Sequence, residues 1–427
     1  MMTSRSLSRS ASSAASRAFR SAADRPRPAR TQPAARGRSP LAVVFVTVFL
    51  DLVGFGIVIP LLPLYAERFG AGPVAAAWLL AVYSLMQFLF APWWGRLSDR
   101  VGRRPVLLVG IAGAALSYLA FGLAGSLTWL FVARAVNGLM GANVGVAQAY
   151  IADVTPPEDR AKGMGMIGAA FGLGFIFGPA IGGFLSRWGA HAPFLGAAAL
   201  AAANFVLAWF RLPESLPAEV RGAASARNAG LRARVATVLD APGRLRGLYA
   251  TVFAVTMGIA GAEATMALWA GRRWGLGFES VGYGFAMVGV VAAIAQGLMV
   301  GPLVKRIGER RAGMMGMVLI AAGMTLVPLA PSLALVVAGG AVFALGQAAA
   351  TPSVYAMISQ QGGAADQGRI LAATQSINAL ARVLGPWMAG VAFAAIGIAA
   401  PYAGGAMLAA IALLILATAA RDRAVAR

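Results

Sequence analysis

Twelve apolar runs of about 20 residues, separated by short polar stretches, make up most of the sequence. Each run is long enough to cross a hydrocarbon core of roughly 30 Å as an α-helix. Lipid offers no partners to open backbone groups, so only helices or closed barrels can span it. The chain is therefore predicted to be an all-α integral membrane protein with 12 transmembrane helices. The predicted spans are residues 41–64, 74–94, 105–124, 127–149, 163–186, 192–211, 247–270, 280–303, 312–330, 333–358, 369–393 and 400–420.

Composition agrees with a membrane protein, because only 12% of the residues are charged and 59% are hydrophobic. A soluble domain would carry roughly 25% charged residues. The chain has no cysteine and one histidine, His191, which leaves little room for a metal centre or a Ser-His-Asp triad. We therefore expect no cofactor, no metal and no enzymatic activity.

The formal net charge of +21 is explained by topology. Thirty of the 36 Lys and Arg residues fall in the two tails or in alternate loops. The other loops contain only Arg68, Arg187, Arg272 and Arg273. Because positive residues are retained on the cytoplasmic side, both termini are predicted to be cytoplasmic, in a multi-pass protein of the cell inner (plasma) membrane. No nucleic-acid partner is expected.

Two longer hydrophilic stretches, residues 1–40 and 212–246, divide the spans into six plus six. The predicted domains are a six-helix bundle at 41–211, a cytoplasmic central loop at 212–246, a second bundle at 247–420 and a cytoplasmic tail at 421–427. Residues 1–40 have a composition that resembles a mitochondrial transit peptide. The abundance of Arg and Ala throughout the chain favours a disordered, basic cytoplasmic tail instead.

The two halves look like copies of one unit. Gly, Leu, Arg and Gly recur at identical spacing in Gly95–Arg104 and Gly301–Arg310, at an offset of 206 residues. The pair Gly178-Pro179 recurs as Gly385-Pro386 at an offset of 207. A parallel duplication of six helices predicts two pseudo-symmetric bundles around a central cavity, which suits alternating access.

Residues Gly95–Arg104, hereafter the gate segment, are similar to the signature loop between the second and third helices of the major facilitator superfamily. The chain resembles that superfamily over residues 41 to 420. The resemblance implies the major facilitator fold and a cytoplasmic gate. The implied gate residues are Gly95, Asp99, Arg100, Gly102, Arg103 and Arg104. Asp99 can cap a helix or pair with an Arg on a neighbouring helix.

Residues Gly174–Gly183, hereafter the glycine motif, are similar to the motif that marks antiporters within the superfamily. Small residues on one helical face permit close backbone approach, and a proline removes a backbone donor. The resemblance implies export and a position at the interface between the two halves. The residues concerned are Gly174, Gly178, Pro179, Gly182 and Gly183.

Four ionisable residues lie within spans: Asp51, Arg134, Glu263 and Arg382. A charge at a helix centre costs roughly 2.5–3.5 kcal/mol on insertion scales, so each should face protein or water. Asp51 resembles the first-helix acid of drug:proton antiporters, which implies a proton or cation site; a brace between helices is the alternative. Arg134 resembles the fourth-helix Arg linked to proton transfer, with a structural pairing as the alternative. Glu263 could bind a cationic substrate or a second proton.

Longer stretches resemble the tetracycline exporters in particular, and Gln296 matches a polar residue of their eighth helix. Three positions depart from that pattern: Ser117, Ala292 and Ile320 stand where those exporters have an acid, a histidine and an acid. These departures leave open whether tetracycline is transported. Gln296 and Arg382 are assigned to the substrate cavity.

Together these features predict a proton-coupled secondary active efflux transporter, an antiporter that exports small amphipathic or cationic compounds and confers drug resistance. Its partners would be a small-molecule substrate, protons and the lipid bilayer, and we expect a functional monomer. A metabolite importer or facilitator of the same fold is one alternative. A membrane-embedded receptor or enzyme is a second alternative, for which the sequence shows no catalytic constellation.

Overall fold

The computed structural model describes residues 40–141, 143–156, 159–221, 236–362 and 367–418. The predicted tails at 1–40 (Pro40 apart) and 421–427 lie outside the described residues, as does 222–235 of the central loop. Throughout the described part the regular structure is helical, with no strand. This confirms the predicted all-α class.

In the described residues, seven α-helices form the N-terminal half of the chain. They are α1 (Pro40–Glu67), α2 (Pro73–Val101), α3 (Arg103–Gly122), α4 (Leu127–Leu139), α5 (Asn143–Val154), α6 (Arg160–Leu185) and α7 (Ala192–Arg211). Helices α4 and α5 together occupy the fourth predicted span, so that span is not one continuous helix. Helix α4 ends here without a proline. Met140 N still donates to the Val136 carbonyl in the helical pattern, whereas Gly141 N donates to the Gly138 carbonyl and closes a tighter turn.

The C-terminal half repeats this arrangement. Its helices are α8 (Gly243–Trp274), α9 (Phe278–Ile294), a π-helix (Ala295–Met299), α10 (Val300–Leu329), α11 (Leu333–Ser359), α12 (Gln367–Ala395) and α13 (Ala400–Thr418). Helix α10 is interrupted at Gly308, whose φ of 80° and ψ of 159° are not helical. Its first part therefore completes the eighth predicted span, and its second part forms the ninth. Apolar helices thus occupy all twelve predicted spans.

Equivalent residues in the two halves perform the same structural task. Gly102 separates α2 from α3 with φ 108° and ψ 162°, much as Gly308 breaks α10. The hydroxyl of Ser126 accepts from Trp129 N at 3.2 Å at the start of α4. Ser332, 206 positions later, caps α11 in the same way by accepting from Leu335 N. The fold is therefore two pseudo-symmetric bundles.

The sequence interpretation of the gate segment as a loop was wrong in extent. Helix α2 continues to Val101 and α3 begins at Arg103, so Gly102 is the whole connection. No proline interrupts Gly95–Val101, and the chain can stay helical until a residue with positive φ is needed. We call the end of the bundle at Gly102 and Gly308 the basic end, and the end where α1 turns into α2 the opposite end.

Candidate functional site

The gate segment holds a buried ion-pair cluster at the basic end. Asp99 and Arg103 are each only 7% exposed. Arg103 NH1 lies 2.5 Å from Asp99 Oδ1 and donates to Ser98 Oγ at 2.7 Å. Its Nε lies 3.1 Å from Asp153 Oδ2 at the end of α5. One guanidinium therefore ties together the end of α2, the start of α3 and α5, which is the kind of planar donor arrangement that arginine provides.

A residue that the sequence interpretation did not assign completes this cluster. Glu214, which follows α7, accepts hydrogen bonds from Arg103 N at 2.8 Å and Arg104 N at 3.2 Å. These are free N–H groups at the N-terminus of α3, where a carboxylate is favoured by both hydrogen bonding and the helix dipole. Glu214 also accepts from Ser215 N and Leu216 N. The segment after α7 is thereby fixed to the gate segment.

The remaining predicted gate residues lie around the cluster. The Gly95 carbonyl accepts from Ser98 Oγ at 2.9 Å. Arg100 is exposed at the end of α2. Arg104 donates from NH2 to the Trp209 carbonyl at 2.7 Å, and its guanidinium lies 5.8 Å from the Trp209 ring centroid. Only Asp99 and Arg103 of the predicted set form a direct ion pair in the described part of the chain.

The glycine motif packs α6 against α1. A Cβ at Gly178 would lie 2.6 Å from Gly56 Cα, and one at Gly174 would lie 2.8 Å from Leu52 Cβ. Gly182 faces the same helix, with a hypothetical Cβ 3.1 Å from the Ile57 carbonyl. No side chain fits between these backbones, so the glycines set the distance between the two helices.

The other face of the same motif packs against α9 of the C-terminal half. A Cβ at Gly183 would lie 2.9 Å from the Glu279 carbonyl. A Cβ at Gly282 of α9 would lie 2.6 Å from the Pro179 carbonyl. Helix α6 is therefore held between α1 and α9, and the glycine motif lies at the contact between the two halves.

Asp51, on α1, is hydrogen-bonded by a neutral side chain. Its Oδ1 accepts from Asn143 Nδ2 at 3.1 Å, and Asn143 is the first residue of α5. Among the described residues, no Lys or Arg nitrogen lies within 4.0 Å of this carboxyl group. The structure thus connects Asp51 to the break between α4 and α5.

Arg134 is 1% exposed and has neutral partners. It donates from Nε to the Leu79 carbonyl at 3.0 Å and from NH1 to Asn137 Oδ1 at 3.2 Å. Its guanidinium carbon lies 4.5 Å from the Tyr83 ring centroid, within the range of a cation–π contact. The sequence suggested an Arg that holds a nearby carboxylate charged. In the described residues no carboxylate lies within 4.0 Å of Arg134, and its contacts are with α2 and with Asn137 of its own helix.

A second polar group lies in the C-terminal half. Glu263 on α8 interacts electrostatically with Arg382 on α12 and has the Gln347 side chain as a hydrogen-bond partner. Tyr355 of α11 and, in the other half, Tyr83 of α2 lie in the surroundings of Arg382. The structure therefore brings two of the predicted residues, Glu263 and Arg382, into one group that faces the N-terminal half.

The other residues named from the sequence have different surroundings. Gln296 is exposed within the π-helix, and the polar groups that interact with Glu263 are Arg382 and Gln347. Ser117 is buried and donates to the Gly113 carbonyl at 2.7 Å. Ile320 is fully buried, and Ala292 is partly buried.

Sequence reasoning missed several uncharged polar residues around these charges: Tyr83, Asn137, Asn143, Gln347, Tyr355 and Asn378. Each is a polar side chain inside a span that is otherwise apolar, and such residues are costly unless they are paired. These residues could have been identified from the sequence, because each is a polar residue within an apolar span.

Two ion pairs join the halves at the opposite end. Arg187 NH2 lies 2.5 Å from Glu279 Oε1, and Arg272 NH2 lies 3.5 Å from Glu67 Oε1. We call these the inter-half ion pairs. Both are substantially exposed to solvent, so each adds little to the stability of the protein. Their residues include two of the four arginines that the sequence placed at this end.

Comparison with known proteins agrees with this architecture. The family model described as Major Facilitator Superfamily matches residues 44–295 and 248–426. Tetracycline resistance protein, class C, of Escherichia coli is 35% identical over 377 residues, which is 84% of this chain and 91% of that protein. Tetracycline resistance protein, class G, of Vibrio anguillarum is 36% identical over 362 residues, covering 82% and 89%.

A solved structure gives the same result. The human organic anion transporter MFSD10 (TETRAN) is 26% identical, with a TM-score of 0.68 over 88% of this chain and 98% of that one. Family, relatives and fold agree on a membrane transporter that is not an enzyme. The chain belongs to the Major Facilitator Superfamily.

Proposed function

We propose that the protein is a proton-coupled secondary active efflux transporter that exchanges protons for small amphipathic or cationic compounds. Its relatives bear the name tetracycline resistance protein, and export of drug-like compounds is the function these relatives favour. The departures at Ser117, Ala292 and Ile320 favour a substrate range different from that of the tetracycline exporters.

The proposal of proton coupling rests on one observation, the environment of Asp51. Its carboxyl group lies in a membrane-spanning helix and is hydrogen-bonded by a neutral amide, Asn143, at 3.1 Å. A carboxylate in a spanning segment with no cation beside it is costly, and taking up a proton removes that cost. Asp51 is therefore the group best suited to bind and release the coupling proton.

Helix contacts support alternating access. Helix α6 packs against α1 through Gly178 and against α9 through Gly183. The inter-half ion pairs close the opposite end, whereas the gate cluster of Asp99, Arg103 and Asp153 is built within one half.

Topology completes the proposal. The basic end and both termini face the cytoplasm of a bacterial inner (plasma) membrane, because most Lys and Arg lie there. Bundles at 41–211 and 247–420 are joined by a cytoplasmic loop at 212–246, and one chain suffices for transport.

The test uses the purified chain in liposomes that contain a pH-sensitive dye. After a proton gradient is imposed, a panel of cationic and amphipathic compounds that includes tetracycline is added, and substrate-dependent proton flux is recorded. We expect flux with at least one compound, its loss in Asp51→Asn, and its retention in Asp240→Asn, which changes an exposed acid. Gradient-independent substrate movement that survives Asp51→Asn would contradict the antiporter and favour a facilitator.

A further inference from the structure

Arg382 is a charged side chain about midway along a membrane-spanning helix, α12, and it is nevertheless exposed. An arginine at such a depth must face protein or water rather than lipid. The surrounding side chains include Tyr83 on α2, Glu263 on α8 and Tyr355 on α11. Helix α12 also packs against α2 of the other half, where the Trp387 and Trp78 ring centroids lie 6.4 Å apart. Arg382 therefore faces the space between the halves.

The guanidinium keeps its donors available. Among the described residues, no carboxylate lies within 4.0 Å of Arg382, although Glu263 is close enough to interact electrostatically. Arginine presents a planar fork of donors that matches a carboxylate in a bidentate arrangement. Arg382 is therefore suited to bind an acidic group that enters from the space between the halves.

Glu263 supplies the opposite charge on the neighbouring helix. Helices α8 and α12 approach closely, because a Cβ at Gly261 would lie 3.0 Å from the Gly385 carbonyl. Gly261 is two residues before Glu263, and Gly385 is three residues after Arg382. The Glu263 carboxyl has a neutral partner, Gln347, in addition to the distant guanidinium. It can accept a cationic group of a ligand without first breaking a direct ion pair.

Uncharged polar side chains that are hydrogen-bonded to one another lie beside this pair of charges. Thr256 Oγ1 donates to Asn378 Oδ1 at 2.8 Å, and the Asn378 amide donates to the Tyr355 hydroxyl. Asn378 lies four residues before Arg382 on α12, so both side chains are on the same helical face. Three helices thus hold the surroundings of Arg382 in place, which reduces the ordering cost of binding.

We propose that Arg382 and Glu263 form a binding site for amphoteric small molecules, with the acidic group of the ligand at Arg382 and its basic group at Glu263. This inference rests on the proposed function and narrows its substrate class. A compound with only a positive charge would be repelled by Arg382, and one with only a negative charge by Glu263. A zwitterion satisfies both groups at once.

Rhodamine B provides a matched set of probes, because it carries a cationic ring system and a carboxylate. Rhodamine B ethyl ester keeps the cation and lacks the acid, and carboxyfluorescein is anionic. Binding of each dye to the full chain in detergent is measured by fluorescence anisotropy. We expect rhodamine B to bind at least about tenfold more tightly than its ester, since a hydrogen-bonded charge pair is worth that much.

The variants assign this preference to residues. Arg382→Gln should weaken rhodamine B binding about tenfold and leave the ester unchanged or bound more tightly, and Arg382→Lys should restore part of the loss. Glu263→Gln should weaken both cationic dyes. The control Arg273→Gln removes an exposed arginine at the opposite end and should change none of them. Equal binding of dye and ester, or no effect of Arg382→Gln, would overturn the proposal.

Proton flux separates this inference from the proposed function. If the dye preference and its dependence on Arg382 are found but no compound drives proton flux, the binding site stands and the antiporter proposal fails. If compounds that carry both an acidic and a basic group drive Asp51-dependent flux that Arg382→Gln leaves intact, the antiporter stands and the amphoteric site is wrong. Thermal unfolding of each variant, recorded beside binding, identifies any variant that has not folded.

Discussion

The carboxylate of Glu214 occupies the space that a side chain at Gly102 would need. A Cβ on Gly102 would collide with both the Oε2 and the carboxyl carbon of Glu214. Glu214 uses that position to cap α3, through Arg103 N and Arg104 N. Gly102 therefore has two separate reasons to be glycine, its φ of 108° and the carboxylate beside it.

Gly102→Ala should lower the stability of the protein more than Gly308→Ala. Both glycines have positive φ, but nothing lies within 4 Å of a Cβ at Gly308. Both glycines combine a positive φ with a ψ of 162° or 159°, a region essentially restricted to glycine, so alanine costs roughly 1–3 kcal/mol in either variant. Loss of the Glu214 cap adds about 1 kcal/mol at Gly102. Thermal unfolding in detergent measures the difference. Equal losses of stability in the two variants would show that Glu214 can move away from residue 102 without destabilising the protein.

Alanine substitutions in the glycine motif and elsewhere on α6 should change the stability of the protein in opposite directions. A Cβ at Gly178 would lie 2.6 Å from Gly56 Cα, so Gly178→Ala forces α1 and α6 apart at about 1–3 kcal/mol. Nothing lies within 4 Å of a Cβ at Gly168 on the same helix, so Gly168→Ala should stabilise the helix by about 0.5–1 kcal/mol. Thermal unfolding and transport rate are compared for both. A stabilised Gly178→Ala variant with full transport would contradict the packing described.

Cross-linking across the inter-half ion pairs should stop transport. The chain has no cysteine, so Arg187→Cys and Glu279→Cys introduce a unique pair. A short thiol-reactive cross-linker that reduction can cleave is used, because side chains of this length hold their Cα atoms too far apart for a direct disulfide. Cross-linking should abolish substrate flux, and reduction should restore it, because the opposite end must open in alternating access.

A cross-link within one half is the control for that experiment. Gln360 Nε2 donates to Glu309 Oε1 at 2.9 Å, and both residues belong to the C-terminal half. Glu309→Cys with Gln360→Cys should therefore tolerate the same reagent without loss of flux. Transport that persists when residues 187 and 279 are linked would mean that the halves do not separate there.

The spans and the duplication could be predicted from sequence because both rest on local properties. Hydrocarbon thickness fixes the length of an apolar run, and positive φ restricts Gly102 and Gly308 to glycine. The partners of the charged residues could not be predicted in the same way. Asp51 is 92 positions from Asn143, and their contact depends on how α1 and α5 are rotated about their axes.

The break in the fourth span escaped prediction for a related reason. Residues Met140 and Gly141 are common inside membrane helices, and neither residue forces a helix to end. The carbonyls released there find donors on α2, since Gln87 Nε2 donates to the Gly141 carbonyl at 2.7 Å and Trp94 Nε1 to the Leu139 carbonyl at 2.5 Å. Those donors are 54 and 45 positions away in the chain.

Because both donors belong to α2, hydrogen bonds to α2 stabilise the chain at the end of α4. Helix α5 begins at Asn143, beside Asp51, and carries Asp153 about 15 Å further along its axis. A rigid rod transmits axial displacement undiminished from one end to the other. An axial shift of α5 at Asn143 would therefore move Asp153, which contacts the guanidinium of Arg103, by a similar distance.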